Sequence, residues 1–259
     1  MGNQVNHSSP YPAGHIKYAF EMYVSHDKII SCKIPHPKVK KLVFEKLDPA
    51  DEFDPQWLLT IHLSKIYSIE EVQEIGNAIK EDVVDMLSFT LNTKVGEMKV
   101  VGYGLTPRPG EASIGHLLIP PPKVSMTGKT GGFKLSRENI REIQDGLLRM
   151  SSLKNKPLVR LFRFAISDNH PVVQFMMLYL ILSEIHKNQP GVDRYILKVA
   201  PTTPQSLSPY TKNLETIYTR LRNEITHRTN VGLKTTMAEI ISKLDEFKQI
   251  VHMALKQIR

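Results

Sequence analysis

The spacing of apolar residues changes partway along this chain of 259 residues. Up to about residue 120, apolar and polar positions alternate as in β-strands, whereas from Ser136 onward apolar residues recur every three or four positions, as in amphipathic helices. The length also exceeds the ~100–200 residues that are typical of one domain. The sequence therefore predicts an α+β domain over residues 1–122, a linker or loop over 123–135 and an all-α bundle over 136–259.

The first half is expected to be a small sheet with one helix. Breaks rich in Asp, Pro and Lys separate the segments that fit strands, which are Ile16–Val24, Ile29–Ile34, Val39–Leu47, Trp57–Ile66, Val95–Leu105 and Ile114–Ile119. Between the fourth and fifth of these, Ser68 and Glu71 have the spacing of a helix-capping pair ahead of an amphipathic run. No arrangement typical of catalysis is present in this half.

The second half is expected to contain four or five helices. They begin near Ser136, after Pro157, after Pro171, near Thr211 and near Thr236. The helix after Pro171 is apolar nearly all round, which is typical of the central member of a bundle. Residues 192–200 fit no single state. Short connections between such helices favour a compact helical bundle.

The two halves also differ in charge. Residues 1–150 carry 18 basic and 18 acidic side chains, so their net formal charge is zero. Residues 151–259 carry 16 basic and 8 acidic side chains, so the whole formal excess of +8 lies there. A local positive excess attracts polyanions such as RNA through contacts to phosphate, although it is also typical of an ordinary solvated surface.

Several classes of site are disfavoured by the sequence. Cys32 is the only cysteine, which excludes an internal disulfide and a cysteine-based metal cluster. The histidines of the first half are scattered singly, without the spacing of metal ligands. The Gly128-Lys129-Thr130 segment lacks the earlier glycine that a phosphate-binding loop requires, since Lys123 stands there. We therefore expect neither a metal nor a cofactor.

Nothing in the sequence indicates a membrane protein. No apolar run approaches the ~18 residues of a membrane span, and residues 1–10 do not resemble a secretory signal. The chain is therefore expected to be cytoplasmic.

The helix predicted near 211–228 carries the residues with the clearest chemical potential. At 100° per residue its bulky apolar side chains share one sector, and Arg222, Asn223 and His227 fall outside that sector. We therefore expect these three side chains to face solvent or a second subunit. Arginine binds phosphate through two parallel hydrogen bonds, and histidine transfers protons near neutral pH, so the set suits phosphodiester chemistry.

The segment Arg222-Asn223-Glu224-Ile225-Thr226-His227 resembles the Arg-Asn-x-x-x-His signature of the HEPN superfamily. The Leu161–Ala165 and Phe175–Leu180 segments are also similar to that superfamily, particularly to its MauJ-like and Apea-like members. The resemblance covers about residues 136–259. It implies a metal-independent endoribonuclease in which Arg222 binds the scissile phosphate, His227 acts as acid and base, and Asn223 orients them.

The resemblance also implies a homodimer and leaves two functions open. Two subunits would pair their signature helices, so we expect the polar face of that helix to lie in the interface. One function is RNA cleavage in a defence, stress or toxin setting, with residues 1–122 sensing a ligand or restraining activity. The other is a non-catalytic HEPN module for dimerisation or RNA binding. Ser183 stands where the family has an acidic residue, with Glu184 one place later, and this departure favours the second function.

Overall fold

The computed structural model describes residues 9–22, 24–25, 29–47, 56–111, 133–149, 153–209, 211–227 and 233–258. The chain divides into unit 1, Met1–Ser152, and unit 2, Leu153–Arg259. An antiparallel sheet dominates unit 1 and helices dominate unit 2, as the change in apolar spacing predicts. Most of the expected linker, and the strand expected over Ile114–Ile119, lie outside the described residues. No helix within the described ranges has the length and apolar character needed to cross a membrane.

Unit 1 is built on a five-stranded antiparallel sheet. Its elements are β1 (Tyr11–Glu21), β2 (Val24–Ser25), β3 (Ile30–Cys32), β4 (Val39–Lys46), β5 (Gln56–Ile66), α1 (Ile69–Leu91), β6 (Lys99–Leu105), β7 (Phe133–Lys134) and α2 (Arg137–Arg149). The strand order of the large sheet is β3-β4-β5-β1-β6. Strands β2 and β7 form a separate parallel pair.

Helix α1 begins where its sequence predicts and covers one face of this sheet. The side chain of Ser68 accepts a hydrogen bond from the amide of Glu71 at 3.3 Å, which confirms the expected cap. Gly76 allows close packing, because a Cβ there would lie 2.7 Å from side-chain atoms of Ile16 and Tyr18. Since side chains alternate along a strand, Lys17, which lies between Ile16 and Tyr18, points to the opposite face of the sheet.

Helix α2 belongs to unit 1, although its sequence led us to expect the first helix of the bundle. It packs on α1, where a Cβ at Gly146 would overlap the side chain of Met86. Its Gln144 side chain also donates a hydrogen bond to the Ser31 carbonyl at 2.9 Å. The division between units consequently falls after Ser152 rather than within 123–135. Apolar periodicity shows that one face of a helix is buried, but it does not show against which partner.

The described part of unit 2 contains five helices and a short hairpin. Its elements are α3 (Lys156–Ser167), α4 (Pro171–His186), α5 (Gln189–Val199), β8 (Gln205–Leu207), β9 (Leu214–Thr216), α6 (Ile217–His227) and α7 (Leu233–Gln257). Helix α5 occupies the stretch that fitted no single state. The core centres on Phe247 of α7, whose ring lies 4.5 Å from Tyr218 and 5.0 Å from Phe175. Such aromatic pairs stabilise a core beyond their buried area.

Two expectations for this unit are wrong in detail. The signature helix begins at Ile217 rather than near Thr211, because residues 214–216 pair with β8 as a strand. Thr236, expected to cap the last helix, lies inside α7, where its hydroxyl donates to Glu224 Oε2 at 2.9 Å. The hydroxyl of Thr236 is thus used for a hydrogen bond to another helix instead of the local cap that its sequence favours.

Candidate active site on helix α6

The three signature residues lie on the last two turns of α6 but in different surroundings. His227 is exposed at the carboxyl end of the helix, and Arg222 is half-buried. Asn223 is only 6% exposed, which contradicts the expectation that the whole set faces away from the core. The neighbouring Thr219 is also fully buried. This sector of α6 is polar yet covered, because it packs on buried polar groups from the preceding elements.

Asn223 links Arg222 to a buried carboxylate. Its Nδ2 donates to Glu215 Oε2 at 3.0 Å, and its Oδ1 accepts from Arg222 Nη1 at 2.9 Å. Glu215 is 2% exposed, receives a second bond from Gln189 Nε2 at 3.4 Å, and keeps an Oε1 without a hydrogen-bond partner among the described residues. A buried carboxyl group therefore lies one side chain away from the guanidinium.

Asp193 of α5 fixes the first turn of α6. Its Oδ1 accepts three hydrogen bonds, from the amide of Thr216 at 3.1 Å and from the hydroxyls of Thr216 and Thr219 at 2.6 Å each. Asp193 itself is 8% exposed. Hydrogen bonds to a charged acceptor are roughly twice as strong as neutral ones. The carboxylate thus fixes the position of the first turn of α6 and the rotation of that helix about its axis.

Tyr179 of α4 supports Arg222 from a second side. The hydroxyl of Thr219 gives its proton to Asp193, so the Tyr179 hydroxyl must donate to Thr219 Oγ1, 3.0 Å away. The guanidinium carbon of Arg222 lies 5.7 Å from the centre of the Tyr179 ring, a cation–π distance. Burial raises the pKa of Tyr179, and the negative charges of Asp193 and Glu215 add to that rise. The phenol therefore stays neutral and remains a donor.

The two arginines of α6 have different partners. Arg220 donates to Glu224 Oε1 and Glu239 Oε1, each at 2.6 Å, and so joins α6 to α7. Arg222, by contrast, forms no ion pair with a carboxylate in the part of the chain that the structure describes. Its guanidinium is oriented by Asn223 and Tyr179 while its charge is left without a contacting counterion. This arrangement suits the binding of an anion.

The acidic residue closest to the family's expected position does not contribute to this site. Glu184 is exposed on α4 and lies 3.8 Å from Lys187. The carboxylates near the signature come instead from Glu215 and Asp193, which belong to no motif in the sequence. Asp193 stands between Val192 and Arg194, and Glu215 stands between Leu214 and Thr216, so their neighbours in the sequence do not indicate which groups they meet.

The arrangement can bind an anion and transfer protons, and it offers no evident metal centre. Within the described ranges, no group of three or more His, Cys, Asp or Glu side chains is placed to hold a metal ion. Comparison of the chain with models of protein families, with curated protein sequences and with solved structures finds no match.

Proposed function

We propose that unit 2 is a metal-independent endoribonuclease of the HEPN type. In this proposal Arg222 binds the scissile phosphate, His227 transfers protons, and Asn223 orients Arg222. The observation that carries the proposal is the placement of Arg222, which is held by Asn223 and Tyr179 and has no contacting carboxylate among the described residues. A fixed guanidinium without a counterion is suited to stabilise the negative charge that develops on a phosphate during cleavage.

The proposed reaction uses the ribose 2′-hydroxyl as nucleophile. A histidine removes the proton of that hydroxyl, the bond from O2′ to phosphorus forms, and the bond from phosphorus to O5′ breaks. A proton delivered to O5′ completes the step and leaves a 2′,3′-cyclic phosphate and a 5′-hydroxyl. Two proton transfers at opposite sides of the phosphorus are best served by two histidines. A pair of subunits, each bringing one His227, would provide them.

The surface of α4 supports the proposed homodimer. Val173 and Leu180 are 36% and 49% exposed, and their spacing of seven residues places them on the same side of the helix. Because α4 is apolar nearly all round, this outward face is left without a cover inside its own unit. A two-fold axis through such a patch would bury it against itself. We place the interface here and at the exposed end of α6, since Thr219 and Asn223 are buried within the subunit.

A charged substitution on α4 tests this dimer. Leu180→Glu is expected to convert a wild-type dimer to a monomer in sedimentation velocity at micromolar concentration, because a buried unpaired carboxylate is costly. Leu207→Glu is the matched control, since Leu207 is an exposed leucine on β8 that the proposed interface does not include. A wild-type protein that sediments as a monomer, or a Leu180→Glu dimer as stable as the control, would contradict the interface.

The function itself is tested with labelled single-stranded RNA. We expect cleavage to persist in EDTA and to yield ends with a 2′,3′-cyclic phosphate, because the proposed steps need only the 2′-hydroxyl, Arg222 and His227. DNA of the same sequence should be bound but not cut, since it lacks that hydroxyl. Activity that EDTA abolishes, or cleavage of the DNA, would contradict this mechanism.

A non-catalytic HEPN module remains the second proposal. The position of Glu184, exposed and near Lys187 rather than near α6, is the observation that favours it. Such a module would bind RNA or pair subunits without cutting RNA. Wild-type protein that binds RNA, yet leaves it intact across many sequences, would favour this second proposal over the first.

A further inference from the structure

The zero net charge of residues 1–150 conceals a separation of charge within unit 1. Helix α1 carries six acidic residues and one lysine, a net of −5. The three long strands β1, β4 and β5 together carry five lysines and two glutamates, a net of +3. Negative charge is therefore concentrated on the helix, and the three strands carry a positive excess.

The register of the sheet brings part of this charge together. His15 of β1 is paired with His62 of β5, and His62 is paired on its other side with Lys41 of β4. Lys17 stands two residues after His15, in the neighbouring row on the same side of β1. Residues paired across antiparallel strands share a face of the sheet. We call the group of His15, Lys17, Lys41 and His62 the histidine–lysine face.

This face lies on the side of the sheet away from α1. Gly14, Ile16 and Tyr18 of β1 meet α1, so the alternate residues His15 and Lys17 point the other way. His15, Lys17 and His62 are half-buried, and Lys41 is exposed. The side chains can thus be reached by a ligand while being partly shielded from solvent, which strengthens their electrostatic interactions.

The two lysines of the histidine–lysine face, Lys17 and Lys41, have no contacting carboxylate among the described residues, although Glu45 of β4 lies on the same side of the sheet. Burial lowers the pKa of His62, and the charges of Lys41, Lys17 and Lys40 lower it further, while Glu45 opposes them. Like charges that face each other across a sheet destabilise it. When His62 is protonated it faces Lys41 as a like charge, and a bound anion relieves that repulsion.

We propose that the histidine–lysine face of unit 1 binds a phosphate group, carried by an RNA strand or by a free nucleotide. Lys17 and Lys41 supply the charge, and His62 adds a donor when it is protonated. Among the described residues, the side of the sheet that bears this face has no row of aromatic rings for base stacking, so recognition is through phosphate rather than through bases. This site lies outside the proposed cleavage site and does not depend on it.

The imidazole of His62 provides a direct measurement of this binding. The full chain carrying His227→Ala, which prevents cleavage of the probe, is titrated from pH 5 to 8 by NMR of its histidine side chains. The probes are inorganic phosphate, adenosine monophosphate and a short single-stranded RNA. An anion beside His62 favours the charged imidazole, so each bound probe should raise the pKa of His62. By linkage, affinity should increase as the pH falls through that pKa.

Two paired variants decide the outcome. The double variant Lys17→Ala/Lys41→Ala should weaken binding of the probe at His62 by about tenfold or more for each lysine removed, because each substitution removes a charge-assisted contact. Lys33→Ala with Lys46→Ala removes the same charge from unit 1 outside the face and should leave affinity within about twofold. A shift with the mononucleotide identifies a nucleotide ligand, and a shift with RNA alone identifies a strand. No shift with any probe, or an equal loss in both paired variants, would overturn the proposal.

Discussion

Replacement of His227 by alanine is expected to lower RNA cleavage by about 10²–10⁴-fold without weakening RNA binding comparably, because it removes the proton-transfer group. His227 is exposed at the end of α6, so the substitution should change the free energy of unfolding by no more than about 0.5 kcal/mol. Rates are measured with labelled RNA under single-turnover conditions, which separate the chemical step from binding. His170→Ala, at an exposed histidine that precedes α4, is the matched control.

Replacement of Arg222 by alanine is expected to lower cleavage by about 10²–10³-fold, because the developing phosphate charge loses its main donor. Arg222→Ala should also lower the stability of the fold, which the place of Arg222 outside the apolar sector of its helix does not predict. Asn223 Oδ1 is buried and would lose its bond from Arg222, a loss that costs about 1–3 kcal/mol. Arg222→Lys therefore accompanies it, since it keeps the charge but not the forked geometry. Arg194→Ala removes an exposed arginine of α5 as the control for charge alone.

The variants of His227 and Arg222 together test whether the signature on α6 is the catalytic site. If both alanine variants cleave RNA as fast as wild type, the signature on α6 is a coincidence of sequence. If Arg222→Ala and Arg194→Ala lose activity equally, the loss reflects the general positive charge of unit 2 rather than a specific contact. A folded His227→Ala protein that binds RNA but does not cut it is the result that supports the proposed role.

Local sequence signals predicted much of the fold. Alternation of apolar residues located the long strands, and the Ser68–Glu71 pair located the start of α1, because both features depend on residues close together in the chain. The partner of α2 and the hairpin of β8 and β9 were not predicted. Both depend on tertiary contacts, such as that of Gly146 with Met86, which the spacing along one segment does not encode.

The site was also predicted only in part, because the burial of its polar side chains depends on tertiary hydrogen bonds. A helical wheel assigns polar side chains to solvent, and that rule placed His227 correctly. It failed for Asn223, which has a buried hydrogen-bond partner in Glu215 of β9. It also failed for Thr219, whose buried partner is Asp193 of α5. The burial of a polar face is possible only when such partners are present, and they come from other elements than the helix itself.

Replacement of Asp193 by alanine is expected to destabilise unit 2 by about 3–5 kcal/mol, the largest effect on stability that we predict. Three donors would lose one acceptor together, namely the amide of Thr216 and the hydroxyls of Thr216 and Thr219. Each buried donor left without a partner costs about 1–3 kcal/mol, although the two hydroxyls can turn and recover part of that loss. The loss should appear as a lower midpoint of urea unfolding followed by far-ultraviolet circular dichroism.

Two comparisons make this prediction specific to the buried carboxylate. Asp193→Asn keeps an acceptor oxygen but not its charge, so it should cost roughly half as much as the alanine variant. Glu184→Ala removes an exposed carboxylate of the same unit, and it should cost less than about 1 kcal/mol because an exposed ion pair at 3.8 Å contributes little. Fluorescence of Trp57, which is buried in unit 1, follows the other unit separately. If Asp193→Ala unfolds at the same urea concentration as Glu184→Ala, the three hydrogen bonds do not hold α6 in place. The orientation of Arg222 would then need another explanation.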